Sequence, residues 1–198
     1  MAIIVDKDKK RKDIALSCVV LFVQGGIKDL SISQVAKEAN IGKGTFYDYY
    51  KNKDALVFEI LNILLQAHSK IKEEKIASVH STRDKVKMFF DFFFNEEDKE
   101  LRQIYKEYLS ITLGTPNEEM VNFQSECINT FSTWLESIIK EGVEKNEIIP
   151  ESIDLARGLY YFGDGIYINY STTNNISNLE KEIHFYVDTL FDLLEIKS

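Results

Sequence analysis

Residues 31–53 read Ser31-Ile-Ser-Gln-Val-Ala-Lys-Glu-Ala-Asn-Ile-Gly-Lys-Gly-Thr-Phe-Tyr-Asp-Tyr-Tyr-Lys-Asn-Lys53. Ser31, with Gln34 three residues later, forms a capping box that begins a helix running to Ala39. Asn40 tolerates the left-handed conformation that a tight turn between helices needs, and Gly42 can serve as the N-cap of the next helix. The stretch therefore predicts a helix-turn-helix.

The second helix of this pair, from Lys43 to about Tyr50, carries the side chains of greatest functional interest. Phe46 and Tyr50 are four residues apart, share one face and are expected to point into the core. The other faces offer ammonium, hydroxyl and phenol groups, together with a glycine that permits close approach. Such a surface suits the major groove of double-stranded DNA.

The stretch from Ile41 to Leu56, Ile-Gly-Lys-Gly-Thr-Phe-Tyr-Asp-Tyr-Tyr-Lys-Asn-Lys-Asp-Ala-Leu, resembles the DNA-binding domain of TetR-family transcriptional repressors. In that family the domain has three helices, and the third is the recognition helix. Carried over by position, the resemblance implies DNA contacts from Ser31, Ser33, Lys43, Gly44, Thr45, Tyr47, Tyr49 and Lys53. A double-stranded DNA operator is the partner that it implies.

Three residues depart from the family pattern. Asn40 stands where glycine is usual, and Gly42 stands where serine is common, so that one hydroxyl contact is expected to be missing. Asp48 is acidic on a helix that approaches phosphates. Asp48 either points away from the DNA or accepts a hydrogen bond from a cytosine amino group. The sequence favours the first alternative, because no basic neighbour obviously requires the carboxylate as a partner.

The charge is divided unevenly along the 198-residue chain, whose net charge is −8. Residues 1–53 hold ten Lys/Arg against six Asp/Glu, a net charge of +4, and residues 54–198 hold fourteen against twenty-six, a net charge of −12. A basic segment joined to an acidic one predicts that only one end binds a polyanion. A solvated basic tail is the alternative.

The rest of the chain reads as helical, which predicts an all-α fold of about nine helices. The predicted domains are a helix-turn-helix DNA-binding domain, residues 1–53, and a helical effector-binding and dimerisation domain, residues 54–198. One long helix is expected over residues 53–77. An aromatic helix over residues 82–95 is expected to be buried on all sides.

The second half again resembles the family, more weakly, in residues 138–150, 154–159 and 163–166, the last of which include the Asp164-Gly165 pair. In the family, the last two helices form a four-helix dimer interface with those of a second copy. The matching stripes here imply a homodimer through Leu159, Phe162, Ile166, Tyr170, Tyr186, Leu190 and Leu194. Alternatively, both stripes face only the core of their own chain. Ser177 with Glu180 is predicted to cap the last helix.

An effector site is predicted in the second domain, where aromatic surface is combined with a few polar groups. The candidate residues are Phe90, Phe93, Tyr105, Tyr108, Trp134, Tyr161 and Asp164. Their chemistry favours a small, largely apolar or aromatic effector. If the effector is cationic, Asp164 can assist through its charge and the rings through cation–π contact.

The sequence offers no pattern of catalysis, and no metal or cofactor is expected. His68, His80 and His184 are scattered over different predicted helices, and Cys18 and Cys127 read as reduced core residues. We expect a cytoplasmic protein without a membrane span.

The predicted function is a repressor that binds a pseudo-palindromic operator as a homodimer and releases it when the effector binds. A helical carrier or interaction protein is the alternative.

Overall fold

A computed structural model describes residues 6–196 of the chain. Within this range there are nine α-helices and no β-strand, which confirms the predicted all-α fold. Residues 1–5 and 197–198, at the outer ends of the two predicted domains, lie outside the described residues. The helices are α1 Lys7–Asp29, α2 Ile32–Glu38, α3 Lys43–Tyr49, α4 Lys53–Ala77, α5 Thr82–Phe90, α6 Lys99–Gly114, α7 Glu118–Glu144, α8 Ala156–Thr172 and α9 Leu179–Leu194.

Polar side chains cap the start of most of these helices. The carboxylate of Asp6 accepts a hydrogen bond from the backbone N–H of Lys9 at 3.1 Å at the start of α1. Asn52 caps α4, where its side chain accepts from the N–H of Ala55 at 2.8 Å. The predicted Ser177 cap of α9 is wrong, because the cap is Asn178, whose side chain accepts from the N–H of Lys181 at 2.8 Å. Asparagine one position later serves equally well as a cap.

The chain divides into two compact units, and the first contains residues up to 70 together with residues 103–116. Its core is formed by the apolar faces of α1 to α4, and Tyr108 of α6 is also buried. Fully buried aromatic and aliphatic side chains fill this core: Ile14, Phe22, Phe46, Tyr50, Leu56 and Ile60. The three helices of the predicted DNA-binding region therefore share one core with the first part of α4.

The second unit contains residues 71–102 and those from 117 onward. A side chain at Gly142 of α7 would overlap Thr82, so α5 and α7 approach closely there. Glu147 accepts from both the N–H and the hydroxyl of Thr82, at 2.8 and 2.7 Å. Arg83 of α5 donates to Glu195 and to Asp192 of α9, each at 2.8 Å. Charged contacts therefore join α5 to the C-terminal part of the chain.

The aromatic segment differs from the prediction of one helix over residues 82–95. Helix α5 ends at Phe90, a 3₁₀ turn follows at Asp91–Phe93, and Phe92 and Phe94 are only half-buried. Arg102 donates from Nη1 to the carbonyl oxygen of Phe92 at 2.8 Å. The guanidinium thus satisfies a carbonyl that the interrupted helix leaves without its usual partner.

Candidate nucleic-acid interface

The turn between α2 and α3 has the geometry that the sequence predicts. The N–H of Ser31 donates to Oε1 of Gln34 at 2.9 Å, and the N–H of Gln34 donates to Oγ of Ser31 at 3.3 Å, which completes the capping box. Asn40 adopts a left-handed φ of 51°. The N–H of Ile41 returns to the carbonyl oxygen of Ala36 at 2.9 Å. These bonds set the orientation of α3.

Two aromatic side chains anchor α3 in the core, and both were predicted to point inward. Phe46 and Tyr50 are buried and stack with their ring centroids 5.6 Å apart. The hydroxyl of Tyr50 donates to the carbonyl oxygen of Arg11 at 2.7 Å, and the Arg11 guanidinium lies over the Tyr50 ring. Burial raises the pKa of Tyr50, and the nearby Glu59 carboxylate adds to this effect. The phenol is therefore a neutral anchor.

The outer face of α3, defined as Lys43, Gly44, Thr45, Tyr47, Asp48 and Tyr49, carries the side chains left outside the core. Lys43, Gly44, Tyr47 and Asp48 are exposed, while Thr45 and Tyr49 are half-buried. Tyr47 exposes 58% of its surface although it packs edge-on against Phe46. Five of the eight predicted DNA contacts thus lie together on one short helix.

The other three predicted contacts lie beside this helix, and two of them have partners within the chain. Ser33 is exposed on α2. Ser31 is the capping residue of α2, and its hydroxyl also contacts the side chain of Gln34. The Lys53 ammonium group donates to the carbonyl oxygen of Ile27 at 3.0 Å. A phosphate contact from Lys53 would therefore replace or share this bond.

Glu107 of α6 is a residue of this region that sequence reasoning missed. Its carboxylate accepts from the N–H groups of Ile27 and Lys28, at 2.9 and 2.8 Å, just after α1 leaves helical geometry at Gly26. Gly26 has a φ of 72°, and a side chain there would overlap the Glu107 carboxylate. The contact joins residues about eighty positions apart in the chain, so no local sequence pattern signals it.

The predicted effector residues fall in both compact units. Tyr105 is half-buried and Tyr108 is buried in the first. In the second, Phe90 and Phe93 stack and pack against α8 at Gly163. Trp134 meets Phe89 edge-on with centroids 5.3 Å apart, Asp164 is half-buried, and Tyr161 is exposed. Whether any of these residues contacts an effector stays a prediction.

The predicted dimer residues differ in how far they are exposed on α8 and α9. Leu159 and Leu194 are buried within the chain, Ile166 and Leu190 are half-buried, and Tyr170 is exposed. Phe162 of α8 stacks on the exposed Tyr186 of α9 with centroids 3.7 Å apart.

Phe185 and Leu193 of α9 are more exposed apolar residues, and the sequence reasoning did not include them among the dimer candidates. They expose 71% and 77% of their surface. Both lie off the apolar stripe that packs α9 onto its own chain, and an apolar residue outside that stripe was the available signal.

The described residues contain no group of His, Cys, Asp and Glu side chains that could hold a metal ion. Burial raises the pKa of the Cys18 thiol, and burial with the nearby Glu126 raises the pKa of Cys127 to about 11. Both cysteines therefore favour the inert thiol over the reactive thiolate. Among residues 6–196, no helix has the length and hydropathy of a transmembrane segment.

Comparison with known proteins places this geometry in a family. The model of the bacterial regulatory proteins of the tetR family matches residues 19–60, from the middle of α1 into α4. The chain therefore contains a helix-turn-helix domain of the tetR type. It is 27% identical over 138 residues to YhgD, an HTH-type transcriptional regulator of Bacillus subtilis, covering 69% of this chain and 72% of YhgD. Both the family model and this relative are named as regulatory proteins, and neither is named as an enzyme.

Solved structures of TetR-type regulators share the fold of the whole chain. A TetR-family regulator from Cytophaga hutchinsonii superposes with a TM-score of 0.74 at 15% identity, over 99% of this chain and all of that one. The regulator FadR from Bacillus subtilis, in complex with stearoyl-CoA, gives a TM-score of 0.60 at 20% identity, over 90% of this chain and 96% of FadR. At these identities the likeness concerns the fold alone.

Proposed function

We propose that this protein is a TetR-family repressor that binds a pseudo-palindromic operator as a homodimer and releases it when a small, largely apolar or aromatic effector binds. The observation that carries the proposal is the outer face of α3. It presents Lys43, Thr45, Tyr47 and Tyr49 around Gly44, while Phe46 and Tyr50 hold the helix in the core. Donor groups around a glycine suit base edges and phosphates at close range.

Each predicted contact has a proposed role. Lys43, Gly44, Thr45 and Tyr47 approach base edges and the nearest phosphates, because the start of a recognition helix enters the major groove. Ser31, Ser33, Tyr49 and Lys53 lie toward the sides and contact mainly phosphate. The basic N-terminal part of the chain, with a net charge of +4 over residues 1–53, supports phosphate binding at this end.

A second copy of the chain is needed because the surface of α3 that would contact DNA is small. Helix α3 is seven residues long, so a single copy contacts few base pairs. Two copies related by a two-fold axis read two half-sites, with centres about 34–36 Å or a multiple of that apart. The operator is then a pseudo-palindrome.

The proposed dimer surface is the α8–α9 face, defined as Phe162, Phe185, Tyr186 and Leu193. Stacking of Phe162 on Tyr186 makes the two helices contribute to one surface. Gly158 and Gly165 of α8 are two turns apart, and side chains added at either would meet no atom within 4 Å. They leave room for a helix of a second copy to approach closely, and burial of the apolar side chains drives the association.

The proposed effector site lies among the aromatic residues of the second unit. Phe89 meets both Trp134 and Tyr160 edge-on, with ring centroids 5.3 and 6.5 Å away. Burial and the Asp164 carboxylate raise the pKa of Tyr160, which keeps its phenol neutral. Such surroundings suit an apolar or aromatic group. The stearoyl-CoA in the FadR complex supplies one compound with a long apolar acyl chain to test.

The proposed functional division is between DNA binding by residues 1–53 and effector binding with dimerisation by residues 54–198. The compact units cross this division, since residues 54–70 and 103–116 belong with the helix-turn-helix. We propose that the division describes where ligands bind, and the units describe how the cores are built.

A fluorescence anisotropy titration tests the function. Duplexes selected from a random library by the full-length protein are labelled and titrated at increasing salt, with a scrambled duplex as the control. We expect tight binding to the selected palindrome, a steep loss of affinity with salt, and release when the correct effector is added. An absence of binding at low salt would favour the carrier or interaction protein.

A further inference from the structure

The position of Asp48 on α3 follows from the two buried anchors. At about 100° per residue, Tyr50 lies about 40° around the helix from Phe46, while Gly44 and Asp48 lie about 160° and 200° from it. Phe46 and Tyr50 are buried, and Gly44 and Asp48 are exposed. Asp48 therefore lies at the centre of the outer face, opposite the core.

Gly44 is one helical turn before Asp48 on the same face. A side chain added at Gly44 would meet no atom within 4 Å, so packing inside the protein does not require a glycine there. Glycine is also unfavourable within a helix. An absent side chain on an outward face allows another molecule to come close, and the Asp48 carboxylate extends toward that same molecule.

Asp48 has no structural task within the chain. Among residues 6–196 its carboxylate makes no hydrogen bond or ion pair, whereas Asp6 caps α1 and Glu59 pairs with Arg11 at 3.1 Å. A carboxylate without a partner on a phosphate-facing helix weakens binding to every DNA sequence, because like charges repel. Its presence is favourable only if a donor on the DNA compensates for that repulsion.

The major groove offers two kinds of donor, the amino groups of cytosine and adenine. An ionised carboxylate only accepts hydrogen bonds, so it pairs with the N4 amino group of cytosine. At adenine it would also face the N7 acceptor beside the amino group. Guanine and thymine offer only acceptors to this position. The chemistry thus selects one base of the four.

We infer that Asp48 is a specificity-determining residue of the recognition helix, which accepts a hydrogen bond from the N4 amino group of one cytosine in each operator half-site. The inference rests on the proposed operator binding and names one base of its site. Asp48 thereby lowers affinity for all other sequences and restores it at the correct one. The carboxylate increases discrimination more than it increases affinity.

Selection of duplexes from a random library tests this inference with the full-length wild type, Asp48→Asn, Asp48→Glu and Asp13→Asn. Asp13 is an exposed acid of α1 and serves as the matched charge control. The wild type and Asp13→Asn should select one cytosine in each half-site. Asp48→Asn should lose that preference and move toward adenine, the base that asparagine recognises. Asp48→Glu should retain cytosine.

Anisotropy on single-base variants measures the size of the effect. Replacing the cytosine should weaken wild-type binding about 5- to 150-fold, the range of one base contact, and should weaken Asp48→Asn binding little. The inference is overturned if Asp48→Asn keeps the base preferences of the wild type and binds all duplexes more tightly, because Asp48 then only repels phosphate. Failure of the wild type to select any duplex would instead overturn the proposed function.

Discussion

The outer face of α3 and the α8–α9 face are both exposed, but their chemistry is opposite. The first presents hydroxyl, phenol, ammonium and carboxylate groups around a glycine, whereas the second presents Phe162, Phe185, Tyr186 and Leu193. Polar groups in a fixed arrangement recognise a polar partner with directional bonds, and apolar surface favours a partner that removes it from water. The contrast supports the proposal that the first face binds DNA and the second binds another copy of the chain.

The largest effect is expected from removing the apolar character of the α8–α9 face. Phe185→Glu with Leu193→Glu should produce a monomer by light scattering, because charges buried between two copies are strongly unfavourable. Affinity for a two-site operator should fall about 100-fold or more, since two linked contacts commonly exceed single ones by factors of 10²–10⁴.

The matched control for that variant is Leu113→Glu with Val121→Glu, which changes two other exposed apolar residues to the same charge. This control should remain a dimer and bind the operator as the wild type does. A dimeric Phe185→Glu/Leu193→Glu variant with full operator affinity would move the dimer interface to another part of the surface.

The next largest effect is expected at the centre of the α3 outer face. Gly44→Leu should preserve the fold because no atom lies within 4 Å of the added Cβ, and should favour the helix by about 0.8 kcal/mol. Operator affinity should nevertheless fall by about tenfold or more, since a leucine there holds the helix away from base contacts that contribute about 1–3 kcal/mol each.

Thermal unfolding measures the stability of Gly44→Leu, and anisotropy measures its operator affinity, so the two effects can be separated. Gly114→Leu is the matched control, because a side chain at Gly114 also meets no atom within 4 Å. It should leave operator affinity unchanged. If Gly44→Leu bound the operator as tightly as the wild type, α3 would not approach DNA through its outer face.

The sequence predicts the local geometry of the DNA-binding region well. The Ser31–Gln34 capping box, the left-handed Asn40 and the buried pair of Phe46 and Tyr50 all depend on contacts within a few residues. Such contacts follow from short patterns of residue type, and the all-α fold follows from the sum of such patterns.

Contacts between distant segments could not be predicted in the same way. Glu107 accepts hydrogen bonds from the N–H groups of Ile27 and Lys28, which are about eighty positions away in the sequence. The Lys53 ammonium group donates to the carbonyl oxygen of Ile27. The N-cap of α9 at Asn178 and the end of α5 at Phe90 depend on competing caps and on tertiary packing. The resemblance to the family also placed Leu194 in the interface stripe. It is buried within its own chain, and its part in a dimer stays a prediction.

A smaller effect is expected from the single cation of the α3 outer face. Lys43→Ala should weaken binding about fivefold at moderate salt, mainly because it removes a charge near phosphate. The slope of log affinity against log salt should decrease by about one.

Lys140→Ala, in the exposed Lys140–Glu136 pair of α7, controls for the loss of a charge elsewhere and should leave the slope unchanged. An unchanged slope for Lys43→Ala would remove Lys43 from the phosphate contacts.

The smallest effect on operator binding is expected from Glu107→Ala, which changes neither exposed face directly. It removes the acceptor of two backbone N–H groups, so chemical denaturation should show a loss of about 1–3 kcal/mol in the free energy of unfolding. Operator affinity should change only about threefold, within about 0.6 kcal/mol. Glu100→Ala, an exposed residue of the same helix, is the control, and equal stability of the two variants would show that the Glu107 contact is unimportant.

Sedimentation of a labelled operator duplex tests the different assignments of the two faces most directly. The wild type should add two chains to a palindromic duplex. Gly44→Leu should remain dimeric but bind the duplex about tenfold or more weakly, and Phe185→Glu/Leu193→Glu should be monomeric and bind about 100-fold or more weakly. A wild-type monomer that saturates the palindrome with one chain, or a Gly44→Leu dimer that binds it as the wild type does, would contradict the account.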